Sequence, residues 1–459
     1  MKRAFLILLG LFQTLRAEVS LPEIFGDHMM LQQGVTLPVW GTAAPGEHVS
    51  VLLGERQAST VADAAGRWRV TLRPLFARGE SLTLVVNGSN RLEFRDVLVG
   101  EVWVAAGGAN MAMPLSEAPL GRQPGASDPD LRFFLSGEGL TRGRWVTSRP
   151  EDENVIPAIG YFFARDLARV RHVPAGVILV TSEAPIREWI PARNPAQVKG
   201  NDGSLFRKSV TPIIPYAVSG FLWYPDKSDE GPDAPLYRVW LTRLIRSWRK
   251  AWGEGPLPFY SVLPAGFGDP EGSAVESFRS AGITGRGLPW IREGVLCSLA
   301  LPMTGVASAT DLGEPDDHLP VDKLDVGRRL ALLARGECYG EERCVTGPLV
   351  RSYTREPGCL RVLFGSTGGG LVIGQSPWRS RSWSPELASE VRGFALSGTD
   401  GKWYPATGRI EGESVVLSSD SVPDPVEVRY DWKGFPVGNL YNREGLPAFP
   451  FRSDSRQPE

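Results

Sequence analysis

The chain has few of the residues that build metal centres. Its 459 residues include only four cysteines and four histidines. No C-x-x-C pair is present, and the histidines are scattered over separate predicted elements, so we expect neither a metal site nor another cofactor. The net charge of −2 leaves no basic excess to neutralise phosphates. This composition argues against a nucleic-acid-binding protein.

Long apolar runs are also missing beyond the first residues, so we expect no membrane span there. At the start, Lys2 and Arg3 precede an apolar stretch, and Ala17 is a suitable cleavage position. This pattern is typical of a signal peptide, and the stretch is far shorter than the roughly 20 residues of a membrane span. We therefore predict a signal peptide over residues 1–17 and an exported protein, either periplasmic or secreted.

An oxidising compartment would allow disulfides to form. Cys338 and Cys344 flank a short loop that contains Gly340. The spacing predicts a local disulfide between these two residues, and buried free thiols are the alternative. The sequence assigns no partner to Cys297 or Cys359.

The length of the chain suggests two or three domains. Residues 18–98 contain short strand-like segments separated by turns, which predicts a β-sandwich. Residues 99–345 alternate strand and helix patterns, which predicts a parallel sheet covered by helices on both faces. Residues 346–459 are strand-like again and predict a β-rich domain. The expected fold is α/β, with the parallel sheet flanked by these two β-rich parts.

The most informative segment is the small-residue turn Gly107–Met111, which follows an apolar strand candidate over residues 102–106. An α/β hydrolase places its nucleophile in such a turn, at the carboxyl edge of the sheet. The central residue of this turn is Ala109, and a methyl group cannot attack a carbonyl. The sequence therefore has the setting of an esterase without its nucleophile.

Several longer segments carry a family resemblance. They are Leu21–Gln32, Asp96–Trp103, Ser247–Gly253 with Pro258–Tyr260, and Val428–Trp432 with Asn439–Pro447. Together they resemble the sialate O-acetylesterase family of the SGNH-like hydrolases over nearly the whole mature chain. The resemblance implies a flavodoxin-like parallel sheet, a scaffold for hydrolysis of carbohydrate acetyl esters, and a place in glycan or sialic acid metabolism.

The resemblance also implies where the catalytic residues should stand, and the chain departs from the pattern there. The family's nucleophile turn reads G-Q-S-N-M, so Gly108 and Ala109 replace glutamine and serine, while Asn110 remains. The family's Q-G-E-S-N motif reads here Pro225–Asp229. A Gly-Gly turn that is an expected oxyanion element is replaced around Ser182–Pro185.

The acid–histidine motif of the family, D-x-H-P, is altered as well. Asp317 aligns with the acid, but Leu319 occupies the histidine position. His318 stands one position early, where we expect its side chain to point elsewhere, although a shifted loop could still turn it into the pocket. Glu314 and Asp316 lie close to Asp317 in sequence, and we interpret this cluster as exposed acids rather than as a glycosidase pair.

We therefore expect a family member that has lost serine-esterase chemistry and binds acetylated sugars or glycans. In intact relatives, a serine attacks the acetyl carbonyl while histidine and aspartate assist it. Loss of the nucleophile alone lowers kcat by about 10⁴- to 10⁶-fold in comparable triads. Two alternatives stay open. One is an active carbohydrate O-acetylesterase in which His318 or an acid activates water, and the other is a structural or interaction protein built from β-domains.

Overall fold

The computed structural model of the protein describes residues 18–119, 127–136, 143–192, 202–270, 287–377, 384–386 and 389–455. The predicted signal peptide over residues 1–17 lies outside this part of the chain.

The first seven strands form the N-terminal β-rich part and lead into the central sheet. They are β1 (Met30–Gln32), β2 (Leu37–Thr42), β3 (His48–Leu53), β4 (Arg56–Val61), β5 (Arg67–Leu72), β6 (Leu82–Asn87) and β7 (Arg91–Gly107). In β5, Trp68, Val70 and Leu72 are buried and alternate with exposed residues, because successive side chains of a strand point to opposite faces. Strands β2 and β5 pair with each other. Four of the other strands are hydrogen-bonded in the order β4-β3-β6-β7.

Strand β7 connects the N-terminal part to the central sheet without a break. Its first half pairs with β6, and its second half is hydrogen-bonded inside the central sheet. The predicted domain boundary between residues 98 and 99 lies within this strand. A single apolar cluster contains Val51 and Leu72 from the N-terminal part together with Val104 from the central sheet. The two parts therefore share one core.

The central sheet is parallel except at one edge, as the strand and helix alternation predicts. Its further strands are β8 (Asp128–Leu135), β9 (Arg144–Ser148), β10 (Ala175–Thr181), β11 (Gly220–Tyr224), β12 (Phe259–Leu263) and β13 (Thr304–Ser308). The order is β13-β12-β11-β7-β10-β8-β9, and β9 runs antiparallel to β8. Every residue of β11 and β12 is buried, as expected for parallel strands covered on both faces.

Helices cover both faces of this sheet, which confirms the predicted α/β fold. They are α1 (Ala109–Ala112), α2 (Ala158–Arg171), α3 (Tyr237–Trp252), α4 (Leu288–Cys297) and α5 (Lys323–Glu337). Helices α2 and α5 pack into one apolar cluster, and α3 and α4 pack into the cluster on the opposite face. Helix α3 ends at Gly253 in the left-handed conformation, and the Asp322 side chain caps the start of α5 by accepting from the Asp325 N–H.

The C-terminal part is β-rich, and its first strand begins shortly after the predicted boundary at residue 345. The strands are β14 (Leu349–Glu356), β15 (Cys359–Gly365), β16 (Leu371–Gln375), β17 (Ser384–Pro385), β18 (Val391–Ser397), β19 (Trp403–Glu411), β20 (Ser414–Ser418), β21 (Glu427–Tyr430), β22 (Leu440–Asn442) and β23 (Phe451–Arg452). Seven of them form an antiparallel sheet in the order β14-β15-β20-β19-β18-β21-β23. Within the described part of the chain, no helix is long and apolar enough to cross a membrane.

The predicted disulfide between Cys338 and Cys344 is not formed in the structure, where both residues are free thiols. Cys338 follows the last turn of α5, and its sulfur lies 3.0 Å from the hydroxyl of the buried Tyr260. The Cys344 sulfur instead donates to the carbonyl of Thr346 at 3.3 Å. The end of the helix turns one thiol toward the core, so the two sulfurs have different neighbours despite their closeness in sequence.

Candidate functional site

A cavity opens at the carboxyl ends of the neighbouring strands β7, β11, β12 and β13. It encloses about 370 Å³ of empty space, including its open mouth. Its polar lining comes from the segments that follow these strands: Asn110, Asp226, Lys227, Glu230, Asp317 and His318. Phe267, Leu288 and Ile291 contribute an apolar wall. Parallel strands bring such segments to one edge of a sheet, and the predicted nucleophile turn lies there.

The nucleophile turn depends on the close approach of two strand ends. Gly107 has a φ of +129°, and a Cβ atom at this position would lie 2.0 Å from the Tyr224 carbonyl oxygen at the end of β11. Only glycine fits both requirements. Ala109 then begins the short helix α1, and Asn110 beside it lines the cavity. A methyl group therefore stands at position 109, for which the family resemblance implies a serine.

Asp226 occupies the space next to Gly108. An ideal Cβ atom on Gly108 would lie 2.1 Å from Asp226 Oδ2 and 2.7 Å from Asp226 Cγ. Asp226 is only 6% exposed, and its Oδ1 accepts a hydrogen bond from the Ser228 N–H at 2.9 Å. The family resemblance implies a glutamine at position 108 and a glycine at position 226. The structure shows that these two positions, just after two neighbouring strands, lie against each other.

The structure corrects the expected orientation of His318, because its imidazole lines the cavity. The ring stacks on Phe267 with centroids 3.4 Å apart and planes inclined by 16°. Its Nδ1 lies 3.8 Å from Glu230 Oε1. Leu319, at the family's histidine position, packs against the apolar cluster of α2 and α5. The Asp317 carboxylate accepts the Leu319 N–H at 2.7 Å, and this local turn presents His318 to the cavity.

The surroundings of His318 favour a neutral imidazole. Partial burial lowers the pKa of His318 below its usual 6.5, and the charge of Lys227 lowers it further. The carboxylates of Asp317 and Asp226 oppose this shift. With the lowered pKa, the ring is mostly uncharged at pH 7, so one ring nitrogen can accept a proton or a hydrogen bond.

Asn110 joins the nucleophile turn to the loop that carries His318. Its Nδ2 donates to the His318 carbonyl at 2.9 Å, and its Oδ1 accepts from Lys323 Nζ at 2.7 Å. Lys323 is 1% exposed and also donates to the Pro320 carbonyl. Burial lowers the pKa of Lys323 to about 7. Both polar ends of the Asn110 amide are thus engaged within the protein.

Arg292 of α4 holds the opposite wall of the cavity. It is completely buried, and its guanidinium donates to four backbone carbonyls, those of Pro264, Ala265, Lys433 and Gly434. Burial lowers its pKa to about 10, which leaves it charged at pH 7. The Phe267 N–H also donates to the Gly434 carbonyl at 3.2 Å. The C-terminal part therefore helps to position the aromatic wall.

The remaining predicted positions lie outside the cavity. Ser182–Pro185 follows β10 and contributes no lining residue, although Glu183 forms an ion pair with Lys227 at 3.2 Å. Glu314 and Asp316 are exposed, so Asp317 is the member of this acidic cluster that lines the cavity. Within the described ranges, no three His, Cys, Asp or Glu side chains come together as metal ligands.

Sequence reasoning missed three residues of this site. They are Glu230, Phe267 and Lys323. Phe267 gave a weak signal, since it follows the buried strand β12 by a few residues, as cavity-lining residues of parallel sheets do. Lys323 is the first residue of helix α5, and nothing in the local sequence indicates that its side chain is buried. Glu230 lies one residue beyond Pro225–Asp229, the segment aligned with the family motif.

Comparisons with known proteins support the fold and the family. No family model matches the sequence. Human sialate O-acetylesterase is 24% identical and aligns with 93% of this chain and 91% of its own length. The mouse protein of the same name is 23% identical over 93% of this chain and 92% of its own. A crystal structure of a carbohydrate acetylesterase from Xanthomonas citri is 33% identical, covers 95% of this chain and 100% of its own, and superposes with a TM-score of 0.84. The chain belongs to the sialate O-acetylesterase family.

Proposed function

We propose that this protein binds acetylated saccharides in the cavity at the carboxyl edge and has lost the serine-esterase chemistry of its family. The observation that carries the proposal is a cavity that the nucleophile turn lines through Asn110, next to Ala109, in a turn without a nucleophile. Ala109 can form no acyl intermediate, and the Asp226 side chain fills the space beside Gly108. Its relatives' names include sialate O-acetylesterase and carbohydrate acetylesterase, which supports a carbohydrate ligand.

The lining suits saccharide binding. Carboxylates and the Asn110 amide supply hydrogen-bond partners for hydroxyl groups, and Phe267 supplies an aromatic surface. We further propose that the protein is exported, since Lys2 and Arg3 followed by an apolar stretch and Ala17 form the pattern of a signal peptide. The role that fits these features is recognition of acetylated glycans outside the cytoplasm.

A second candidate function is hydrolysis without a covalent intermediate. The His318 imidazole lines the cavity, lies 3.8 Å from a Glu230 oxygen and has a lowered pKa. In this mechanism, the neutral ring takes a proton from water, the resulting hydroxide attacks the acetyl carbonyl, and the C–O bond to the sugar breaks. The sugar oxygen receives the proton, so acetate and the free hydroxyl are the products.

Two measurements on the purified protein without residues 1–17 test the proposal. A chromogenic acetyl ester should show no turnover above the no-enzyme rate, and a serine-reactive phosphonate should not label the protein. A glycan array that displays O-acetylated and unacetylated saccharides should show binding to the acetylated ones. Binding to no saccharide would overturn the proposal and favour a structural role.

The variant His318→Ala separates the two candidates, with His48→Ala as a control because His48 is exposed on β3. If the protein only binds, His318→Ala weakens binding by about tenfold, as expected from loss of a stacked ring, and no activity is present to be lost. If the protein hydrolyses through water, turnover exists in the wild type and His318→Ala abolishes it. Persistent turnover in His318→Ala would contradict both mechanisms.

A further inference from the structure

The cavity presents acidic groups and an ion-paired lysine to a ligand. Asp226, Glu230 and Asp317 each contribute a carboxylate to its lining. Among the lining residues that the structure describes, Lys227 is the only lysine or arginine. Its Nζ pairs with Glu183 at 3.2 Å, and its side chain is 52% exposed, which places it at the rim.

Two further cationic residues, Arg292 and Lys323, lie behind the cavity wall and donate hydrogen bonds to oxygen atoms of the protein. Arg292 uses four of its N–H groups on backbone carbonyls, including those of Pro264 and Ala265 in the wall itself. Lys323 donates to Asn110 Oδ1 and to the Pro320 carbonyl. A ligand carboxylate needs N–H donors that face it, and Arg292 and Lys323 are only 0% and 1% exposed, so neither residue presents a donor to a ligand in the cavity.

The carboxylates instead favour ligand hydroxyl groups. A carboxylate accepts hydrogen bonds only, and a sugar ring offers several adjacent O–H donors. Asp226 is one of the carboxylates in the lining, and its Oδ1 accepts from the Ser228 N–H while its Oδ2 lies beside Gly108 at the nucleophile turn. The Phe267 ring, stacked on His318, adds an apolar surface for the face of a sugar ring.

From this arrangement we infer that the cavity takes acetylated saccharides without an acidic group and discriminates against sialic acids. The inference rests on the proposed binding function. A sialic acid brings its carboxylate among Asp226, Glu230 and Asp317, where like charges repel in a partly desolvated site. The ligand class is therefore a neutral sugar whose hydroxyls meet the carboxylates.

The test compares two probes that differ by one charge. The methyl glycoside of an O-acetylated N-acetylneuraminic acid carries a carboxylate, and its methyl ester has almost the same shape without the charge. Calorimetry measures the Kd of each at low salt, together with the Kd of an acetylated neutral hexoside from the array. We expect the ester to bind at least tenfold more tightly than the acid, and the difference to shrink in high salt because salt screens charges.

The double variant Asp226→Asn with Glu230→Gln assigns the effect to the lining. The amides keep the size of the side chains and an acceptor oxygen, so the ratio of acid to ester Kd should fall toward one. Glu254→Gln, an exposed acid outside the cavity lining, is the control and should leave the ratio unchanged. If the acid binds the wild type as tightly as its ester while saccharides do bind, this inference is overturned and the binding function stands. If no saccharide binds, the binding function itself is overturned.

Discussion

Asp226 Oδ2 lies 2.1 Å from the position that a Cβ atom on Gly108 would take. These two residues follow the ends of neighbouring strands, β7 and β11, and the family resemblance implies a larger residue at position 108 and a glycine at position 226. The Asp226 side chain therefore occupies the space that any side chain at position 108 would need, so the residues at these two positions constrain each other.

The first prediction concerns this contact. Gly108 has ordinary extended backbone angles, with φ of −86°, so only the Asp226 side chain opposes a residue there. Gly108→Gln should lower the free energy of unfolding by about 1–3 kcal/mol, the usual cost of overpacking. Adding Asp226→Gly should recover most of this loss. Urea unfolding measures both.

Gly231→Gln is the matched control, because a Cβ atom at Gly231 meets no atom within 4 Å. It should change the unfolding free energy far less than Gly108→Gln. If Gly108→Gln is as stable as the wild type, Asp226 moves aside at no cost and the two positions are not coupled.

The second prediction concerns restored catalysis. Ala109→Ser supplies a nucleophile beside the cavity that His318 already lines, but leaves the Asp226 carboxylate beside the turn. We expect no detectable acetyl-ester turnover from this single variant, and measurable turnover when Gly108→Gln and Asp226→Gly are added. Recovery should stay partial, because the segment at Ser182–Pro185 is altered and one lost oxyanion donor costs about 10²- to 10³-fold.

The control for restored catalysis is the same set of substitutions without Ala109→Ser. It has no nucleophile and should be inactive. Equal turnover from Ala109→Ser and from the full set, measured with a chromogenic acetyl ester, would show that the residues at positions 108 and 226 are no barrier to catalysis.

The sequence predicted the sheet but not the orientation of the site residues, for a physical reason. The strand at residues 102–106 and the alternation of strand and helix patterns over residues 99–345 can be recognised from local sequence patterns, which need no tertiary information. The orientation of His318 depends on one hydrogen bond from the Leu319 N–H to Asp317, and Asp226 reaches Gly108 from another strand. The spacing of residues along the sequence contains neither of these two contacts. Alignment with the family motif alone therefore predicted that His318 points away from the cavity.

The third prediction concerns Arg292. Its removal leaves four buried or partly buried carbonyl groups without their donor. Arg292→Gln should lower the free energy of unfolding by at least about 3 kcal/mol, since hydrogen bonds to charged groups contribute about 1.5–3 kcal/mol each. Arg292→Lys should recover little, because an ammonium lacks the planar fork of donors. The exposed Arg246→Gln is the control, and a comparable effect there would contradict the special role of Arg292.

The fourth prediction concerns the thiols. All four cysteines are free in the structure, so alkylation of the denatured protein without reductant should add four groups in an intact-mass measurement. In the native protein, Cys338 should react slowly, because burial raises its pKa to about 11. Two cysteines that react only after reduction, identified as Cys338 and Cys344 by peptide mapping, would instead establish the disulfide between them.

The last prediction concerns the buried Lys323 and the pH dependence of stability. Its pKa is about 7 in the folded protein and about 10.4 in an unfolded chain. Between these values the unfolded state holds a proton that the folded state has lost, so this group makes the folded protein more stable as pH rises. Below pH 7 both states are protonated, and the cost of the buried charge is fully present.

Lys323→Met removes this titration while it keeps an unbranched side chain. From pH 7 to pH 10, the free energy of unfolding of the wild type should rise relative to that of the variant by up to about 1.4 kcal/mol per pH unit. Loss of the hydrogen bonds to Asn110 and Pro320 adds an offset but little slope in this range, so the slope of the difference isolates the lysine. Lys250→Met, at an exposed lysine near the end of α3, should show no such slope over most of the range. Parallel stability curves for the wild type and Lys323→Met would mean that Lys323 stays charged in the folded protein, held by Asp317 and Asp322, whose charges raise its pKa.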